Sequence, residues 1–289
     1  FALVAPFIEV PFVVLSSHGD SPATCPWFKW GGMDLQLHFQ GQCGEFRSKA
    51  LALPNLIKWF SVNTEIQHRK IVTIPLGFAY QDHPFMTEYS SPEPLIEVAR
   101  NATFVPREKE YRVYVSHMKR SIEYRPFAAQ QGAKLSGAHY QREKLGFIEH
   151  LRLMSKSQFT VSPQGLGMDC FRTWEALVVG SIPIVEASGI RAVYEGLPAV
   201  VIPEGARGWS LLTDEYLDRK AKNLTYSTRK LFLCYWWGRV RRVIKRHLRR
   251  VTRLQCHQSS GALGRRVQFG GPPDVDLIGG VVQKANKLP

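Results

Sequence analysis

Arg172 and Glu175 stand three residues apart in the run SPQGLGMDCFRTWEALVVGSIPIV, residues 162–185. On a helix that spacing puts both side chains on one face. A guanidinium in the first turn adds its charge to the free N–H groups of the helix start and suits a diphosphate. A carboxylate one turn further on accepts two hydrogen bonds from the hydroxyls of a ribose. The turn ahead of them holds Gly165 and Gly167, which let the backbone approach a ligand closely, with Ser162 and Asp169 on either side. Together these residues form a candidate set for one nucleoside diphosphate. The plain alternative is an Arg–Glu ion pair without a ligand, but the apolar runs on both flanks would bury it at a cost.

A dinucleotide is the competing ligand. Its fingerprint places a third glycine where this chain has Cys170, the glycine that allows close packing of helix on strand. In its favour, Glu186 closes the next apolar run about 20 residues after the first glycine, where a ribose-binding acid belongs.

Chemistry beyond binding needs a base to take the proton of an acceptor hydroxyl. His18 and Asp20 in SSHGDSP, at the end of an apolar run, are the candidates, although Asp and Gly equally favour a turn. Arg125 follows a later strand-like run and is placed either to reach a donor phosphate or to lie on the surface before Pro126. No metal site is expected. The five cysteines make no CxxC pair or Cys/His ligand spacing, and the DVD triplet with Asp274 and Asp276 has no buried strand to aim it. His139, His247 and His257 are isolated, and Trp27, Trp30, Trp236 and Trp237 are assigned to packing rather than to stacking on sugars.

The elements that must position these groups alternate. PFVVLSS reads as a strand, LALPNLIKWFSVN as a helix entering at Pro54, and KIVTIPLGF as a strand closing on Gly77. The segment from Tyr80 to Pro106, with four prolines, reads as a linker. Beyond it come the strand YRVYVSH, a helix over SIEYRPFAAQQ with Pro126 near its start, and an amphipathic helix over QREKLGFIEHLRLMSKS. The strand QFTVSP, the helix DCFRTWEALVVG stopped by Gly180, and the strands SIPIVE and AVVIP complete the pattern. Strand and helix alternating at this pace predict an α/β protein with doubly wound parallel sheets. The expected division is 1–108, 109–252 and a loose tail over 253–289.

With 289 residues, 44% of them hydrophobic, the chain can bury a full core. It begins at Phe1 and is read as lacking its natural start; no uninterrupted apolar span of about 20 residues is present. The net charge of +14 resides in one segment, residues 219–266, which has Lys and Arg but no acid; the rest balances to within one charge. That distribution argues against a nucleic-acid-binding body. WWGRVRRVIKRHLRRVTRL reads as a helix docked through Val240, Val243, Ile244, Leu248 and Val251, its arginines either merely solvated or facing a polyanion or membrane surface. Sequons at Asn101 and Asn223 suit a lumenal protein.

The stretch SQFTVSPQGLGMDCFRTWEALVVGSIPIV resembles the donor-sugar motif of exostosin-like glycosyltransferases: strand, proline–glycine turn, Arg-x-x-Glu-Ala-Leu helix, Gly-x-Ile-Pro and strand. NLIKWFSVN…HRKIVTIPLGF and KLFLCYWW resemble that family's first-lobe helix–strand pair and closing helix. The resemblance implies a GT-B fold of two Rossmann-like lobes, a nucleotide-sugar donor on the second, and inverting transfer to a glycan without a strictly required metal. Carried over, Arg172 meets the diphosphate, Glu175 the ribose, and Gly165 and Gly167 shape the turn. It further implies a Golgi or ER lumenal enzyme, anchored through a segment outside this sequence. The first lobe is short for the family, so acceptor-side strands are expected to be missing. An NAD(P)-dependent oxidoreductase and a non-catalytic glycan-binding relic of the same fold stand as alternatives.

Overall fold

The computed structural model describes residues 7–16, 29–30, 33–34, 48–64, 66–78, 93–118, 125–165 and 167–261. Two compact units are present, Phe1–Arg246 and His247–Pro289, and both large sheets belong to the first. The chain opens with β1 (Phe12–Ser16), a two-residue antiparallel pair β2 (Lys29–Trp30) and β3 (Met33–Asp34), then β4 (Leu56–Ser61) and β5 (Ile71–Thr73). β1, β4 and β5 form a parallel sheet in that order.

The helix expected over LALPNLIKWFSVN is therefore a strand, and the helix–strand pair expected of the first lobe is a pair of strands. A helical turn over 48–52 ends ahead of Pro54, and β4 follows as the central strand of its sheet. Leu56, Trp59, Phe60 and Ser61 are all buried. A strand covered on both faces loses the alternation that marks a half-buried one, and its apolar spacing then imitates a helix. The expected linker also contains an element, α1 (Glu93–Arg100).

The second sheet is built from β6 (Tyr111–Val115), α2 (Arg125–Ala133), β7 (Ala138–Tyr140), α3 (Phe147–Ser155), β8 (Ser157–Val161), α4 (Phe171–Val178), β9 (Ile182–Glu186), α5 (Arg191–Tyr194) and β10 (Val200–Ile202). Its strands are all parallel, in the order β10-β9-β8-β6-β7. Val113, Val115, Phe159, Val161, Ile182 and Ile184 pack with Ala128 and Ala129 of α2. Tyr114 points the other way, into Leu151 and Met154 of α3 and Ala176 of α4. Short helices α6 (Ala206–Ser210) and α7 (Asp214–Ala221) bring Trp209 and Leu217 onto the α2 side. The mixed α/β class with two parallel sheets is the one expected and is consistent with a GT-B-like fold.

Gly180 ends α4, as its position predicts. Its φ is +77°, and a Cβ there would stand 2.5 Å from the Thr103 carbonyl oxygen, so no other residue fits. The last helix, α8 (Leu233–Gly261), runs past the boundary placed at 252. Its expected docking stripe is buried only at Val240, helped by Trp236, while Ile244 is exposed and Leu248 is 59% exposed. Asn101 and Asn223 are both exposed.

Candidate functional site

From β6 the chain crosses to β7 on one side and then passes back over β6 to β8 on the other. Ligands of open parallel sheets bind at such a switch point, outside the carboxyl ends of the strands. The turn that leaves β8 there is pinned at several points. Ser162 N–H donates to the Ile184 carbonyl at 3.0 Å, and the Ser162 and Thr173 hydroxyls share a 2.8 Å hydrogen bond that ties the turn to α4. Gln164 N–H donates to Glu186 Oε2 at 2.9 Å, and Gly165 N–H to the Gly167 carbonyl at 3.0 Å. Cys170 is the N-cap of α4, in extended conformation and without a side-chain capping bond, and Thr173 N–H donates back to the Cys170 carbonyl at 3.0 Å.

Two guanidinium groups converge on this cap. Arg125 Nη2 lies 3.9 Å and Arg172 Nη1 3.8 Å from the Cys170 sulfur. Arg172 Nη2 also donates to the His117 carbonyl at 3.5 Å, while its buried Nε has no hydrogen-bond partner among the described residues. A Cβ on Gly165 would stand 3.7 Å from Arg125 Nη2, in the space before that guanidinium. Gly165 is not among the positive-φ residues, so closeness of approach, rather than backbone strain, is what glycine supplies there.

Three carboxylates are buried here, and they differ in how they are satisfied. Glu186 accepts from Gln164 N–H and from Gly205 N–H at 3.0 Å. Asp169 accepts from Leu76 N–H at 2.8 Å, Cys170 N–H at 2.8 Å, the Trp174 indole at 2.8 Å and the Tyr194 hydroxyl at 3.3 Å. Burial raises the Asp169 carboxyl to about 6 against the pull of those hydrogen bonds. Glu175, only 5% exposed, has no side-chain hydrogen bond to a described residue. Its nearest charged partner is His150 Nε2 at 3.7 Å, and His150 Nδ1 is held by the Tyr114 hydroxyl at 2.9 Å. Burial pushes the Tyr114 phenol well above its ordinary value, which keeps it neutral.

Further polar groups lack partners at the same edge. Ser116 Oγ after β6, Gln164 Nε2 after β8 and Ser188 Oγ after β9 are buried without a hydrogen-bond partner among the described residues. Buried polar atoms are seldom left so, and a run of them along the carboxyl ends of neighbouring strands suits a polar ligand.

The structure thus brings Arg125 and Arg172 to the cap at Cys170, with Ser162, Gly165 and Gly167 in the turn before it and Glu175 one turn further along α4. Asp169 is the correction. It lies beneath the turn with its oxygens engaged, and its own N–H donates to Asn63 Oδ1 at 2.7 Å. With Leu76 it joins the loops of the first sheet to α4 and does not face a ligand. Glu186, the acid of the dinucleotide alternative, is spent on two backbone amides. Arg172 and Glu175 make no ion pair with each other; the charged partner of Glu175 is His150. His139 stacks beside Tyr111, centroids 4.6 Å apart, in a packing role. His18, Asp20, Asp274 and Asp276 lie outside the described residues. Among the described residues no group of three or more His, Cys, Asp or Glu is placed to hold a metal. Tyr114, Ser116, His117, His150, Gln164 and Ser188 were missed, because they come from different strands and helices with no fixed spacing.

Residues 136–193, which span the crevice from β7 to α5, match the sequence model of the RXYLT1 C-terminal domain family. No curated protein matches the chain significantly. The matched stretch holds the whole Arg-x-x-Glu turn and relates this chain to a glycosyltransferase-type family.

Proposed function

We propose that the protein is an exostosin-like glycosyltransferase that takes a sugar from a nucleoside diphosphate sugar, a UDP-sugar, and passes it to a glycan or glycoprotein hydroxyl with inversion. The observation that supports this best is Glu175: a buried carboxylate whose partner among the described residues is His150 at 3.7 Å, one turn behind a guanidinium whose Nε has no hydrogen-bond partner among them. A ribose diol and a diphosphate complete both. The acceptor oxygen attacks the anomeric carbon, the bond from that carbon to the diphosphate breaks, and its electron pair leaves on the phosphate oxygen. Arg172 and Arg125, at the positive end of the α4 dipole, offset the charge that develops there. The hydroxyl proton passes to a base on the first-lobe side, the role expected of His18 or Asp20. A Golgi or ER lumenal setting, anchored outside this sequence, belongs to the same proposal.

Calorimetric titration with UDP, GDP and NAD tests it. UDP binds, and Glu175→Ala weakens it by about 1–3 kcal/mol through the lost charge-assisted bonds. Binding of NAD but not UDP sinks the proposal in favour of an oxidoreductase. UDP binding without turnover of any UDP-sugar leaves a relic of the fold.

A further inference from the structure

The start of α8 is held firmly. Lys230 Nζ donates to the Ala192, Val193 and Glu195 carbonyls at 3.0, 3.0 and 2.6 Å, closing the end of α5. The Trp236 indole N–H donates to the Lys230 carbonyl at 2.8 Å, and Trp236 and Val240 are buried. These contacts orient the helix and leave a neighbouring stripe uncovered. At about 100° per residue, Leu233, Trp237 and Ile244 fall within an arc of about 40°. They are 81%, 47% and 38% exposed, and Phe232, just before the helix, is 57% exposed. Arg241, Arg242, Lys245 and Arg246 are exposed on the flanking and opposite faces, and α8 contains no acidic residue from end to end.

Large exposed apolar side chains in a contiguous stripe, with Arg241 and Lys245 along its free side, are unusual on a free surface. The cations alone suit any polyanion, but a sulfated glycan or a nucleic acid leaves Phe232, Leu233, Trp237 and Ile244 in water. An anionic bilayer satisfies both sets: headgroups meet Arg241 and Lys245, acyl chains receive the apolar stripe, and a tryptophan sits at the boundary. Among the described residues no helix is long and apolar enough to cross a membrane, so α8 lies in the plane of the surface. We propose that Phe232, Leu233, Trp237 and Ile244, with Arg241 and Lys245 beside them, form a docking surface for an anionic lipid bilayer. It stands independently of the proposed glycosyl transfer.

The test is co-sedimentation of the full chain with phosphatidylcholine vesicles, with and without about one-third phosphatidylserine. Binding to the anionic vesicles is expected to exceed that to neutral ones by about tenfold or more, and to weaken as salt rises from about 0.05 to 0.5 M. Leu233→Ser with Trp237→Ser lowers anionic-vesicle affinity about tenfold and leaves heparin retention unchanged. Arg241→Gln, Arg242→Gln and Lys245→Gln together lower both. Brominated acyl chains quench tryptophan fluorescence of the wild type, and Trp237→Phe removes most of that quenching, a readout that does not depend on the serine variants folding. Heparin retention without vesicle binding, vesicle binding untouched by the serine changes, or the absence of bromine quenching each overturns the proposal.

Discussion

Among the buried acids of the crevice, what separates a structural residue from a ligand-facing one is the count of donors already turned toward it. Asp169 and Glu186 are met by backbone amides and ring N–H groups; Glu175 meets only a histidine at 3.7 Å. Under the proposed function His150, itself held by Tyr114, is a positioning residue for the Glu175 carboxylate. Wild-type protein is expected to prefer UDP over 2′-deoxy-UDP by about tenfold, a charge-assisted hydrogen bond's worth. In His150→Ala that preference should fall to a few-fold, while the preference for UDP over UMP, which reads the diphosphate, stays unchanged. Calorimetry with the three nucleotides decides it, and an intact ribose preference in the variant removes His150 from the site. Arg172 and Glu175 were legible because both lie on one helix at a fixed interval. His150 was not, since its distance from Glu175 is a product of how α3 and α4 cross the sheet.

Helix α4 carries most of what the element scale adds. Its start is the cap at Cys170 and its end is Gly180, closed against the Thr103 backbone, and the sequence showed both limits. The role of Asp169 was hidden, because its donors come from Leu76, Trp174 and Tyr194, far apart in the chain. Its carboxyl titrates at about 6 in the fold against 3.8 as its ordinary value. A carboxyl raised by folding contributes stability that is fully present below the ordinary value and is lost as pH climbs through the folded one. The stability of the wild type relative to Asp169→Asn should therefore fall between about pH 4 and pH 7, by an amount on the order of 2–3 kcal/mol. Urea unfolding of both proteins at four or five pH values measures the difference, and a flat difference shows that Asp169 is not the group responsible. Strand β4 marks where the sequence pattern misled. Burial on both faces erased its alternation, and only pairing with β1 and β5 reveals it as a central strand.

At the scale of the whole molecule, alternation of strands and helices announced the α/β class and β6, β8, β9 and β10 with the helices α2, α3 and α4, whereas the three-residue strand β7 and the one-turn helix α5 were not expected. The order of strands within the sheet, and so the switch point that locates the crevice, follows from pairing rather than from any local pattern. Charge was legible as an overall sum and as a segment, yet the partial exposure of the α8 stripe was not, because periodicity tells which residues share a face and not what lies opposite. In the crevice, positive charge comes from Arg125, Arg172 and the amides of α4. UDP affinity in EDTA should accordingly stay within about twofold of that in manganese; a large manganese-dependent gain, measured by the same titration, points to carboxylates beyond the described residues. The Asp169 junction carries a last consequence, for synthesis. Asp169 reaches Asn63 and Leu76 from 106 and 93 residues downstream. A nascent chain that has delivered β1, β4 and β5 from the ribosome still lacks the acid that ties their loops down. β1, β4 and β5 are thus made well before that tie can form, and their loops settle only once α4 emerges.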